Sequence, residues 1–126
     1  MFRLCKGITH EQLQYWAAQL ECILELRPSD SDVICERWLI VPVLWIIGLT
    51  PGIKTATIID EVRNLIVPDE YADEILPSRT DARITQLVRN LRSHKTLERL
   101  GLATYTLGEW KITDSGKNLI EAIRLS

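Results

Sequence analysis

The chain has 126 residues, 46% hydrophobic and 25% charged, with a formal net charge of −2. That length suits one domain, and the composition is ordinary for a globular chain rather than a low-complexity or fibrous one. The balance excludes a uniformly basic coat for nucleic acid, and no stretch reaches the roughly 18 continuous apolar residues of a membrane span.

The opening residues Met1 to Gly7 lack the apolar core of a secretion signal, so the cytoplasm is the expected compartment. Cys5, Cys22 and Cys35 are odd in number, form no C-x-x-C pair and have no histidine at metal-ligand spacing. They read as reduced thiols packed as small hydrophobes, with neither a metal nor a cofactor expected.

The first element is a helix from Thr9 to Leu26. Thr9 with Gln12 three residues on is a capping box, and Leu13, Trp16, Ala17, Leu20, Ile23 and Leu24 make its apolar stripe. Arg27-Pro28-Ser29-Asp30-Ser31 breaks it. A second helix starts near Asp30 to Asp32 and continues, or restarts at Pro42, to Ile47. From Trp38 to Ile47 it is apolar nearly all round, so it forms the buried centre, and Trp38 and Trp45 belong to the core rather than to a ligand box. Gly48 to Gly52 reads as a turn. A third helix, Lys54 to Val67, presents Ile58, Ile59, Val62, Leu65 and Ile66. The link that follows, from Val67-Pro68 to Pro77-Ser78, is acidic through Asp69, Glu70, Asp73 and Glu74. It is longer than the three or four residues of a compact helix-turn-helix.

Charge changes sign at this point. Met1 to Ser78 holds six basic and twelve acidic residues, a balance of −6, whereas Arg79 to Ser126 holds nine basic and five acidic, a balance of +4. The reversal coincides with a helix over about 79–99, with Thr80 as N-cap before Asp81. Ile84, Leu87, Val88 and Leu91 form its apolar stripe, and Arg83, Gln86, Arg89, Asn90 and Ser93 lie opposite, with Arg92 at the boundary. Guanidinium and amide groups fork onto base edges as well as phosphates. Leu97 and Leu100 leave the phase of the stripe, which predicts either a kink near Ser93-His94-Lys95-Thr96 or a helix tail that packs on a different element. Gly101 then stops the helix as a left-handed residue, with Leu102 as the apolar contact after it. Ala103, Tyr105 and Leu107 alternate with Thr104 and Thr106 as a strand, the chain turns at Leu107-Gly108, and Trp110 to Thr113 returns with Trp110 and Ile112 inward. A last helix from Ser115 or Gly116 to Leu125 carries Leu119, Ile120 and Ile123.

A cationic helix followed by a short hairpin and a closing helix is the recognition-helix-and-wing order of a winged-helix domain. The expected class is mainly α (α+β): a winged helix-turn-helix with extra N-terminal helices and a two-stranded wing. Residues 1–37 form the helical extension, 38–126 the core, and about 102–113 the wing. The run Gly101-Leu102, a hairpin, then Trp110-Lys111-Ile112-Thr113-Asp114-Ser115-Gly116 resembles the ending of the N-terminal winged-helix domain of Mrr-type restriction endonucleases, over the chain from about Trp38. MarR-like repressors share a looser form. The resemblance implies a targeting or specificity domain, or a small regulator, in restriction, phage defence or transcription. The nuclease domain that usually follows in those enzymes has no counterpart here, which implies a stand-alone protein or an isolated targeting domain.

On this reading double-stranded DNA is the partner. Arg83, Gln86, Arg89, Asn90 and Ser93 face base edges, Arg79, Arg92, Lys95 and Lys111 take phosphates, and Thr80 and His94 complete the set. The rival is a protein-interaction winged helix that uses the first helix and the acidic 69–74 loop, and a homodimer through the first helix is compatible with either. Pro68-Asp69 and Glu109-Trp110-Lys111 spell a nuclease-like PD…ExK pattern. That chemistry needs its acids on adjacent core strands, whereas these fall in a polar loop and near a hairpin tip, so no catalysis is expected. His10, in a first helical turn, reads as a solvated or capping side chain.

Overall fold

A computed structural model describes residues 7–27, 34–66 and 77–125, with side chains at 82–123 in the last of these segments. It is mainly helical with one small antiparallel sheet. Helix α1 spans His10–Ile23, and the Thr9 side chain accepts the Gln12 amide at 3.2 Å, as the capping box implies. The helix ends three residues before Leu26. Glu25 takes φ 55°, and the Glu25 and Leu26 amides donate to the carbonyls of Cys22 and Glu21 at 3.3 and 2.8 Å. This is a Schellman closure with glutamate in the place that glycine usually takes.

A 3-10 turn, Glu36–Leu39, leads into α2, Ile40–Leu49. The expected start of this helix at Asp30 to Asp32 lies outside the described residues, and from Glu36 to Leu39 the backbone is 3-10 rather than α. Every residue from Ile40 to Ile47 is buried, enclosed by α1, by α3 (Thr55–Leu65), by α6 (Asp114–Leu125) and by the hairpin strand β2 (Glu109–Ile112). Pro42 falls in the first turn, where its missing N–H leaves no intrahelical bond unmade. Trp16 and Trp45 meet with ring centroids 5.7 Å apart, and Trp38 meets the His10 ring edge-on at 6.2 Å, so both central tryptophans are core. Gly48 is helical rather than part of a turn, with Ile112 against it.

Helix α3 ends beside the start of α1: the Gly7 and Ile8 amides both donate to the Leu65 carbonyl, at 3.0 and 2.8 Å. The acidic link, including Asp69 to Glu74, lies outside the described residues. Helix α4, Pro77–Ser93, packs along α3 and buries Ile84, Leu87, Val88 and Leu91, the stripe read from the sequence. It begins at Pro77, so Thr80 sits within the first turn and is not the N-cap. Proline suits the first helical position, where its fixed φ is preorganised and no donor is lost.

The long helix expected over 79–99 is two. Lys95 turns left-handed at φ 54°, and a one-turn helix α5, Thr96–Arg99, follows in a new direction. The phase slip at Leu97 is thereby resolved, because the turn lets Leu97 reach the core at 0% exposure. Gly101 (φ 73°) closes α5 with the two bonds of a Schellman motif, from its own amide to Glu98 and from Leu102 to Leu97. Strands β1 (Ala103–Thr106) and β2 pair in register Ala103 to Ile112 and Thr106 to Glu109. The two-residue turn Leu107-Gly108 has positive φ at both positions, 54° and 80°, the type I′ geometry that follows strand twist. Ile53 adds a one-residue antiparallel bridge to Trp110.

Candidate nucleic-acid interface

The exposed face of α4 follows from its pitch of about 100° per residue. With Ile84, Val88 and Leu91 inward, Gln86, Arg89 and Ser93 point away from the core and are exposed. Asn90 stands beside them, and Gln86 Nε2 donates to Asn90 Oδ1 at 2.9 Å, an i,i+4 amide pair on the surface. Arg92 is exposed on the flank away from the 3-10 turn, Lys95 is exposed at the corner, and Lys111 is exposed on β2 across from Thr104. Arg89, Arg92, Lys95 and Lys111 have no ion-pair partner among the described residues.

Two residues of the expected set are turned to other work. Arg83 lies on the flank of α4 that meets the chain before the 3-10 turn, and its Nε donates to the Ile34 carbonyl oxygen at 2.9 Å. This bond docks α4 on the body of the protein through Nε, while the side chain stays exposed. His94, on the same flank, has Nδ1 3.1 Å from Glu36 Oε2, and Thr96 donates to the other oxygen of that carboxylate at 2.6 Å. The backbone of Arg79 and Thr80 lies in the first turn of α4, and their side chains are outside the described residues. Arg99, exposed on α5, was absent from the sequence-derived set; its helical phase carried no signal because the corner at Lys95 resets it.

The residues that carry the family resemblance have a structural task. Gly101 supplies the left-handed stop. Its carbonyl oxygen accepts the Thr113 hydroxyl at 2.5 Å, and the same hydroxyl oxygen accepts the Gly116 amide at 3.1 Å, capping α6. The Thr113 amide donates to the Leu102 carbonyl at 3.0 Å. A Cβ on Gly116 would stand 2.2 Å from that same carbonyl oxygen, so only glycine lets α6 approach. Trp110 is buried, with its indole Nε1 donating to Thr55 Oγ1 at 3.0 Å. The motif therefore closes the hairpin onto α3, α5 and α6, and Lys111 is its one residue exposed on the outer face of the hairpin.

Glu109 is exposed at the start of β2 with its carboxylate against Gly52, while Asp69 lies outside the described residues. Among the described residues no group of three or more histidine, cysteine or carboxylate side chains is placed to hold a metal ion. No described helix is long and apolar enough to cross a membrane. No family model, no curated protein and no solved structure matches the chain.

Proposed function

We propose that the chain is a winged-helix DNA-binding module in which α4 enters the major groove and the β1–β2 hairpin lies along the backbone. The element order supports this reading: helix α2, the single bridging residue Ile53, helices α3 and α4, then β1, a tight turn and β2. The observation that carries it is the outward face of α4. There Arg89, Ser93 and the Gln86–Asn90 amide pair stand at the surface, flanked by the cations Arg92 and Lys95, which have no ion-pair partner among the described residues, and with nothing apolar among them. Arginine and amide groups on one solvated helix face match the donor and acceptor pattern of base edges, and the flanking cations match phosphates. The role that the resemblance implies is targeting or specificity within restriction or phage defence, or small-scale transcriptional control.

Anisotropy titration of a labelled random duplex tests the proposal. With about four phosphate contacts, affinity falls about a hundredfold as salt rises from about 50 to 200 mM. The R89A/R92A double variant weakens binding and flattens the salt slope. A well-folded protein that binds no duplex at low salt overturns the reading. Attention then moves to the outward side of α1, where Tyr15 and Ile23 are 53% and 44% exposed, as a surface for a protein partner.

A further inference from the structure

Away from the outward face of α4, the segment after α1, the 3-10 turn and the α4–α5 corner line an open cleft of about 560 Å3. Arg27, Arg37, Arg99, His94, Glu36 and Thr96 line it. Its size falls in the range of small-molecule sites.

Among the described lining residues the charge is unbalanced. Glu36 is the one carboxylate among them, and both of its oxygens have a contact: Oε1 accepts the Thr96 hydroxyl at 2.6 Å, and Oε2 lies 3.1 Å from His94 Nδ1. Among the described residues neither oxygen accepts from an arginine. Arg37 is held in place, its Nη1 donating to the Arg27 carbonyl at 2.6 Å and to Glu21 Oε2 at 3.4 Å, which leaves most of its five donors unused. The Arg27 and Arg99 guanidiniums have no ion-pair partner among the described residues. Three arginines, from the segment after α1, the 3-10 turn and α5, therefore line one cleft. Each presents a planar fork that fits a phosphate two oxygens at a time.

We propose that this cleft binds a small organic phosphate with at least two negative charges. Its phosphate groups lie between Arg27 and Arg37 on one side and Arg99 on the other, and its uncharged portion rests on the apolar wall at Ile40. The three guanidiniums together offer more donors and more charge than a single carboxylate answers, which favours a ligand with more than one anionic oxygen pair. The phosphates of a duplex lie on a convex rod and suit the open face of α4 better than a recess. The proposal stands apart from the DNA reading, since it uses a different flank of α4.

Inorganic pyrophosphate is the probe, titrated into the full chain at about 0.15 M salt, where loose surface attraction is screened. Calorimetry is expected to give saturable one-to-one binding, with amide shifts concentrated at His94, Thr96 and Arg99. R27Q/R99Q keeps much of the side-chain bulk and is expected to weaken binding at least about tenfold, while R89Q leaves it unchanged. Should the double variant lose its folded circular-dichroism signal, R99Q alone makes the same comparison. Lack of saturation in the low millimolar range overturns the proposal, as does an equal loss in R89Q. A duplex titration with the same variants separates the two readings. If R27Q/R99Q weakens duplex binding and pyrophosphate does not bind, the cleft belongs to the nucleic-acid surface and the proposal fails. Pyrophosphate binding that persists in a protein that ignores duplex leaves this proposal standing and removes the other.

Discussion

The hydroxyl of Thr113 donates to the carbonyl oxygen of Gly101 at 2.5 Å, joining the residue after the hairpin to the glycine two residues before it begins. The same oxygen caps α6. Thr113→Val keeps the shape and removes both bonds, so it is expected to cost about 1–2 kcal/mol. Urea unfolding measures this, and a change under about 0.5 kcal/mol would show that water replaces the hydroxyl without loss.

Gly116 is a separate case, because its neighbour is backbone. A Cβ there would lie 2.2 Å from the Leu102 carbonyl oxygen, and neither strand nor helix can yield without loosening the clamp. Gly116→Ala is expected to destabilise by about 1–3 kcal/mol despite the better helix propensity of alanine. Thermal unfolding of the variant checks the sign, and a stabilised variant would falsify the close approach.

The Trp110–Thr55 bond is buried, and its two members respond differently to removal. Thr55→Val strands the indole N–H without a partner and is expected to cost about 1–3 kcal/mol. In the double variant with Trp110→Phe, the orphaned donor is gone as well, although the smaller ring leaves a void. A double-mutant cycle by chemical denaturation reads the coupling, and strict additivity would exclude it.

Leu107 is 94% exposed and sits at positive φ, a conformation that a leucine adopts only at a cost. Asn-Gly is the pair favoured by this two-residue turn. Leu107→Asn is therefore expected to raise stability by about 0.5–1 kcal/mol, seen as a higher urea midpoint. An unchanged or lowered midpoint would indicate that the leucine makes a compensating contact in the folded chain.

Arg83 and Arg89 are two turns of one helix with opposite expected phenotypes. Arg83→Ala removes the bond to the Ile34 carbonyl and is expected to lower stability by about 1 kcal/mol while leaving duplex affinity nearly intact. Arg89→Ala is expected to leave stability within about 0.5 kcal/mol and to cost about 1–3 kcal/mol of duplex affinity if it forks onto a guanine. Unfolding curves and anisotropy on the same preparations compare them, and a reversed pattern would redraw the reading face.

What the sequence made legible is what local chemistry decides. The apolar stripe of α4, the Thr9 cap, the glycine stop at Gly101 and the tight turn at Leu107-Gly108 each depend on residues within one or two turns of each other. The misreadings share a different cause. The end of α1 was missed because Glu25 does what glycine usually does, and no composition signal marks a left-handed glutamate. The corner at Lys95 was foreshadowed only by a phase slip. The roles of Arg83 and His94 could not be read, since their partners Ile34 and Glu36 lie 49 and 58 residues away and are reached only after α4 has docked. Helix periodicity alone put Arg83 on the outward face. It sits near the edge of that face, where one long side chain can turn either way.

Helix α2 is buried on every side by elements from both ends of the chain: α1 arrives before it, and β2 and α6 come long after. Helices α1 and α3 cover part of it, but the wall made by Trp110 and α6 comes from residues more than sixty positions further on. The most apolar segment of the chain is thus sealed by contacts distant in sequence, which ties the integrity of the core to the closure of the hairpin and α6.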